Sequence, residues 1–145
     1  MRLVFTVCIS VLCSCVAMGQ KLESNRAGIA AARTALKPAL QQFFTGTVDK
    51  PLEQNIIALI DNPAFNKADA YHNYLIGGAL YSIAPQLSFQ YHKKAYELLP
   101  TDLNTTLEYA LELHRKQDFK AAIPLYESYL ATQPDDNRIY ALLAD

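Results

Sequence analysis

The feature that most limits what this chain can fold into is its similarity to itself at a displacement of 34 residues. At that offset Pro100 meets Pro134, Asp102 meets Asp136, Ser88 meets Ala122, Tyr91 meets Leu125, His92 meets Tyr126 and Tyr96 meets Leu130. Carried on, the same period sets Thr106 against Tyr140, Tyr109 against Leu143 and Ala110 against Ala144. A repeat of this length marks a supersecondary unit that cannot bury its apolar side alone and stacks on its neighbours. Inside a unit the apolar and small residues recur at spacings of three and four, the period of a helix face and not of a strand. The predicted fold class is all-α.

The pattern is clearest from Leu103 to Pro134. Tyr109-Ala110, Leu113, Ala122, Tyr126 and Pro134 supply a large-small pair, a second small residue, an aromatic and a terminal proline. In this the chain resembles the tetratricopeptide repeat (TPR) family, which implies antiparallel helix pairs stacked as an α-solenoid. Close packing explains the residue types: Ala110 and Ala122 let two helix backbones approach, while Tyr109, Leu113, Phe119, Ile123, Tyr126 and Leu130 fill the space around them. The first helix is expected over 102–114, capped by Thr101 or Asp102, and Asp118 is expected to cap the second. Pro124, several residues into that helix, predicts a slight bend.

The preceding unit, Asp69 to Pro100, fits less well. Leu75 and Ala95 match, but Ile76 occupies the small site and Gly77-Gly78 follow, so the register of its first helix is expected to slip by one. Helices are predicted over 68–82 and 85–98, with Pro85 as the first helical residue of the second. Upstream, 24–44 reads as a helix with Ile29, Ala32, Leu36 and Leu40 on one stripe and a kink at Lys37-Pro38. Another helix is expected over 52–60, stopped by Asp61-Asn62-Pro63. Residues 20–68 are thus read as a degenerate repeat or cap, and 69–145 as TPR-like repeats. A third unit starts at Asn137 and breaks off at Asp145, which leads us to expect either a truncated chain or a short final helix acting as cap.

Residues 1–19 read as a signal peptide: Arg2, an apolar run from Leu3 to Met18, and small residues Ala17 and Gly19 ahead of a cleavage point before Gln20. The run is short for an uncleaved membrane anchor. Leu12-Cys13-Ser14-Cys15 also resembles a lipobox, which leaves open lipidation at Cys15. Cys8, Cys13 and Cys15 are the three cysteines of the chain, so cleavage before Gln20 leaves no thiol chemistry and no disulfide. The expected destination is export: a bacterial periplasm, an outer-membrane association, or secretion. Membrane attachment is expected only with lipidation at Cys15.

With 13 Lys and Arg against 14 Asp and Glu, the formal charge is −1, which lacks the basic footprint of a nucleic-acid binder. The expected partner is a protein or peptide. His72, His92 and His114 stand 20 and 22 residues apart, with no metal-ligand spacing. His92, at the aromatic core position of its unit, is expected to be a buried neutral imidazole, and His114 to sit at a helix end. No nucleophile elbow, phosphate loop or dinucleotide fingerprint occurs, so no catalytic residue, metal or cofactor is predicted. The nine tyrosines, all between Tyr71 and Tyr140, read mainly as core. From Glu97 onward nine acids face four bases, read as a solvated acidic face. Asn104-Thr105-Thr106 is a sequon that matters only in a eukaryotic secretory pathway.

The family resemblance implies a binding surface as well. In TPR proteins the first helix of each pair lines the inner surface; by repeat position that includes Asn73, Gly77, Tyr81, Leu107, Leu111 and His114 here. Members that bind chaperones hold a C-terminal carboxylate with a Lys and Asn clamp. Asn73, Gly77, Leu107 and Leu111 stand at those sites, so that clamp is absent. The leucines suggest an apolar contact with a peptide or with a further helix of the same chain. The expected function is an exported, non-catalytic protein-interaction module. The alternative is the N-terminal repeat domain of a longer secreted or envelope enzyme.

Overall fold

The computed structural model describes residues 25–46 and 51–144. The expected signal segment, its cysteines including Cys15, and the cleavage point before Gln20 lie outside the described residues. The described residues form helices joined by turns, with no strand among them. In chain order these are α1 (25–45), α2 (Leu52–Ile60), α3 (Ala70–Leu80), α4 (Pro85–Leu98), α5 (Leu103–Arg115), α6 (Phe119–Leu130) and α7 (Asn137–Ala144). No helix among them is long and apolar enough to cross a membrane.

Local chemistry sets the boundaries. Asp69 Oδ1 accepts the His72 N–H at 3.0 Å, starting α3 two residues later than the pattern suggests. The other end of α3 stops at Leu80 because the chain must turn before Pro85, which occupies the first turn of α4. Asp102 Oδ1 accepts the N–H groups of Asn104 and Thr105 at 3.0 and 2.9 Å and caps α5. The far end of α5 closes through Gln117, held at φ 63°, with Gln117 N–H donating to the His114 carbonyl at 2.8 Å and Asp118 N–H to the Leu113 carbonyl at 2.9 Å. That bond pair is a Schellman motif carrying glutamine where glycine is usual. Asp118 then accepts the Ala121 N–H at 3.3 Å and opens α6. Helix α6 continues through Pro124, whose missing N–H falls on an exposed position, and α1 likewise runs past Pro38.

Two apolar cores form. The first joins Leu36, Ala39 and Phe43 of α1, Leu59 of α2, Phe65, and Ile76 and Leu80 of α3, with Leu87 and Tyr91 of α4 packed against it. Complete burial of Leu36, Ile76 and Leu80 contributes about 1.5–3 kcal/mol each. The second joins Ala110 and Leu113 of α5 with Ala122, Tyr126 and Leu130 of α6 and Ile139 of α7. Ala110 and Ala122, the two small residues of the repeat, are both buried in it. Each of α3 to α6 packs on the next, and α6 packs on α7.

Several side chains depart from their expected places. Phe119 and Ile123 do not fill the space around the alanines; they are 47% and 42% exposed, because Tyr126 and Leu130 already close that face of α6. In α7 the inward residue is Ile139, while Tyr140 is 48% exposed. The buried stripe of α1 runs through Ala32, Leu36, Ala39 and Phe43, with Ile29 and Leu40 at its edge.

Candidate functional site

A buried polar cluster sits in the junction between α4 and α5, beside the packing of Phe89 and Tyr96 on Tyr109. Ser88 and His92 are four apart on α4, so they share a face, and they meet Glu112 of α5. Ser88 Oγ donates to Glu112 Oε1 at 2.6 Å, and His92 Nδ1 lies 3.0 Å from the same oxygen. Arg115, one turn on from Glu112, donates to Oε2. All of Glu112's carboxylate is therefore engaged while the residue is 1% exposed, which is the condition under which a buried charge is tolerated. A carboxylate oxygen can only accept, so Nδ1 of His92 carries the proton. Nε2 is buried and has no hydrogen-bond partner among the described residues. Gly77 explains how the ring fits: a Cβ there would stand 2.5 Å from His92 Cδ2.

This cluster is not a hydrolytic triad. Ser88 and Glu112 both approach Nδ1, whereas a relay needs the serine on one ring nitrogen and the acid on the other. Ser88 is fully buried with its hydroxyl hydrogen given to Glu112. What the cluster can do is fasten α4 to α5 and fix the orientation of His92.

Above it opens a cleft of about 410 Å³ between α1, α3 and α5, lined by Arg33, Tyr74, Leu75, Gly78, Tyr81, His92 and Glu108. Burial pushes the Glu108 carboxyl above its ordinary range, and nearby Glu112 adds to this while His92 opposes it. The Tyr74 hydroxyl is pushed up by burial first, then by Glu108 and Asp102, with Arg33 acting in the other direction. Arg115 lies 4.4 Å over the Tyr81 ring and holds that aromatic at the mouth. A second cleft, of about 330 Å³, lies where Asn25, Arg26 and Ile29 of α1 meet Leu103, Asn104 and Leu107 of α5 and Tyr129 and Gln133. Across α1 and α3, Tyr71 donates to Asn25 Oδ1 or to Asp102 Oδ2, each at 3.2 Å, with its ring against Gly28.

The sequence-derived surface residues do not share one site. Asn73 is buried, and its Nδ2 donates to the carbonyls of Lys67 and Asp69 at 3.1 and 2.7 Å, so it secures the turn before α3. Gly77 is buried under His92. Tyr81 is in the first cleft and Leu107 in the second, facing α1. Leu111 packs against the second core. His114 sits edge-on to Phe119 at 5.0 Å, in a groove between α6 and α7. Missing from the sequence reading are Arg33, Tyr74, Glu108 and Glu112. Their signal was available in the spacing: Glu108, Glu112 and Arg115 fall on one face of α5, and Ser88 and His92 on one face of α4.

Among the described residues no group of three or more His, Cys, Asp or Glu side chains converges on a metal-sized position. Fold and site together define an all-α protein with a buried polar clasp beneath an open, mixed-charge cleft. No protein-family model matches the chain, and a search of curated proteins finds no match.

Proposed function

We propose that this chain is an exported, non-catalytic protein-interaction module in which α3–α4 and α5–α6 are antiparallel, TPR-like pairs stacked as a solenoid, and α3 and α5 present the partner surface. The observation that supports it most directly is a pair of open clefts, one between α1, α3 and α5 with Tyr81 on its wall and one between α1, α5 and α6 with Leu107 on its wall. The 34-residue period and the burial of Ala110 and Ala122 at equivalent small positions support the repeat reading. Rigid packing of α3 to α6 keeps the ordering cost on the scaffold side of a complex low. Residues 1–19 carry the export reading, with lipidation at Cys15 as the route to a membrane.

Peptides selected from a random display library on the immobilised chain test the function. Their affinity for Leu107→Asp and Tyr81→Ala is expected to fall at least about tenfold, because a charge or a lost aromatic at the contact removes about 1.4 kcal/mol or more. Unchanged affinity in both variants counts against these walls as the partner surface. Intact mass of the exported protein tests processing: a chain beginning at Gln20 fits peptidase cleavage, and a diacylated Cys15 fits a lipoprotein.

A further inference from the structure

We propose that the cleft between α1, α3 and α5 binds a free α-amino acid with a large apolar side chain as its zwitterion, the carboxylate on Arg33 and the ammonium on Glu108, with its side chain against Tyr74, Leu75 and Tyr81. This goes beyond the protein-partner reading and does not rest on it.

Two opposite charges, Arg33 and Glu108, share the cleft. Arg33 is exposed, and its side chain forms no ion pair or hydrogen bond among the described residues. Glu108 is half-buried, and its carboxyl likewise has no hydrogen bond or ion pair among the described residues. Both side chains line the cleft together with Tyr74, and they act on its hydroxyl in opposite directions. A guanidinium fork and a carboxylate on one cleft are complementary to a ligand carrying an anion and a cation on either side of a single carbon. An α-amino acid has that arrangement, with its side chain branching from the carbon between.

The rest of the cleft fits the same class. Its volume of about 410 Å³ falls within the range of small-molecule sites, roughly 300–1,000 Å³. Tyr74, Leu75 and Tyr81 offer apolar and aromatic surface for a large side chain. Arg115, which reaches the Tyr81 ring at the mouth, is already bound to Glu112, so it does not compete for the ligand's carboxylate.

Proton linkage follows. The groups facing Glu108 are Arg33 from α1, Tyr74 from α3, His92 from α4 and Glu112 from its own helix. Burial holds its carboxyl toward the neutral form, and an arriving ammonium favours the ionised form. Binding therefore releases a proton, and affinity rises with pH through the titration of Glu108.

Isothermal titration calorimetry of the 145-residue chain with L-phenylalanine, N-acetyl-L-phenylalanine and L-phenylalaninamide tests this. Phenylalanine is expected to bind at least about tenfold more tightly than either blocked analogue, the loss of one charge-assisted contact. Arg33→Met is expected to abolish the preference over the amide, and Glu108→Gln the preference over the acetylated form and the pH dependence. Arg33 is exposed, so its replacement leaves both cores in place, and circular dichroism verifies both variants as folded. No measurable heat with phenylalanine, equal binding of all three ligands, or an Arg33→Met variant with wild-type preferences overturns the proposal. Peptide binding through Leu107 can persist through each of these outcomes, so the two ideas fail separately.

Discussion

Gly77 shows how one missing side chain can organise a site. Its hydrogen occupies the only space left by a His92 ring that Glu112 holds in place. Gly77→Ala is therefore expected to destabilise by about 1–3 kcal/mol in urea denaturation, because the ring cannot swing away without losing its carboxylate. In a His92→Ala background the same substitution is expected to cost little, and that non-additivity identifies the contact. Glu108 gives a pH-dependent counterpart. Its carboxyl titrates above the ordinary value of 4.5 when folded, so folding favours the protonated form. The stability it contributes is complete below that ordinary value and is lost as pH rises through the raised one. Glu108→Gln, which cannot ionise, is expected to melt higher than wild type at neutral pH and to show no advantage below pH 4.5; thermal denaturation across pH reads both. Neither role was visible in the residues alone. Gly77-Gly78 signalled only a slipped register, and Glu108 was one acid among nine.

At the scale of elements, the junction of α4 and α5 depends on Glu112. Glu112→Ala strands Ser88, His92 and Arg115 together, and is expected to cost about 3–5 kcal/mol in denaturant unfolding, more than Ser88→Ala, which removes one donor and leaves the charge paired. The turn between α5 and α6 offers the opposite case. Gln117 sits in left-handed conformation at φ 63° inside a Schellman motif that glycine satisfies without strain. Gln117→Gly is expected to stabilise by about 1 kcal/mol, measured as a raised denaturation midpoint. Helix positions were largely readable in advance. Leu52–Ile60 and Pro85–Leu98 have the bounds that caps and prolines suggest, and Asp102 and Asp118 cap as their spacing requires. The faces were less readable: an amphipathic pattern gives a stripe, and a rotation of one residue exchanged Tyr140 for Ile139.

Across the whole molecule, two apolar cores meet at a polar seam, and stability is expected to be graded accordingly. Helix α7 buries one side chain, Ile139, whereas each of α3 to α6 buries several. Hydrogen exchange should therefore show α7 losing protection first and α3 to α6 later, since local opening follows the contacts to be broken. By itself the sequence determined the all-α class, the helix caps and the small residues at which helices pack, because caps and periodicity act over a few neighbouring residues. Only the tertiary structure decided that Ser88, His92, Glu112 and Arg115 share one carboxylate, that Asn73 faces inward, and that Arg33 and Glu108 line one cleft. Such groupings depend on how helices far apart in the chain rotate and cross, and no short-range pattern encodes a rotation.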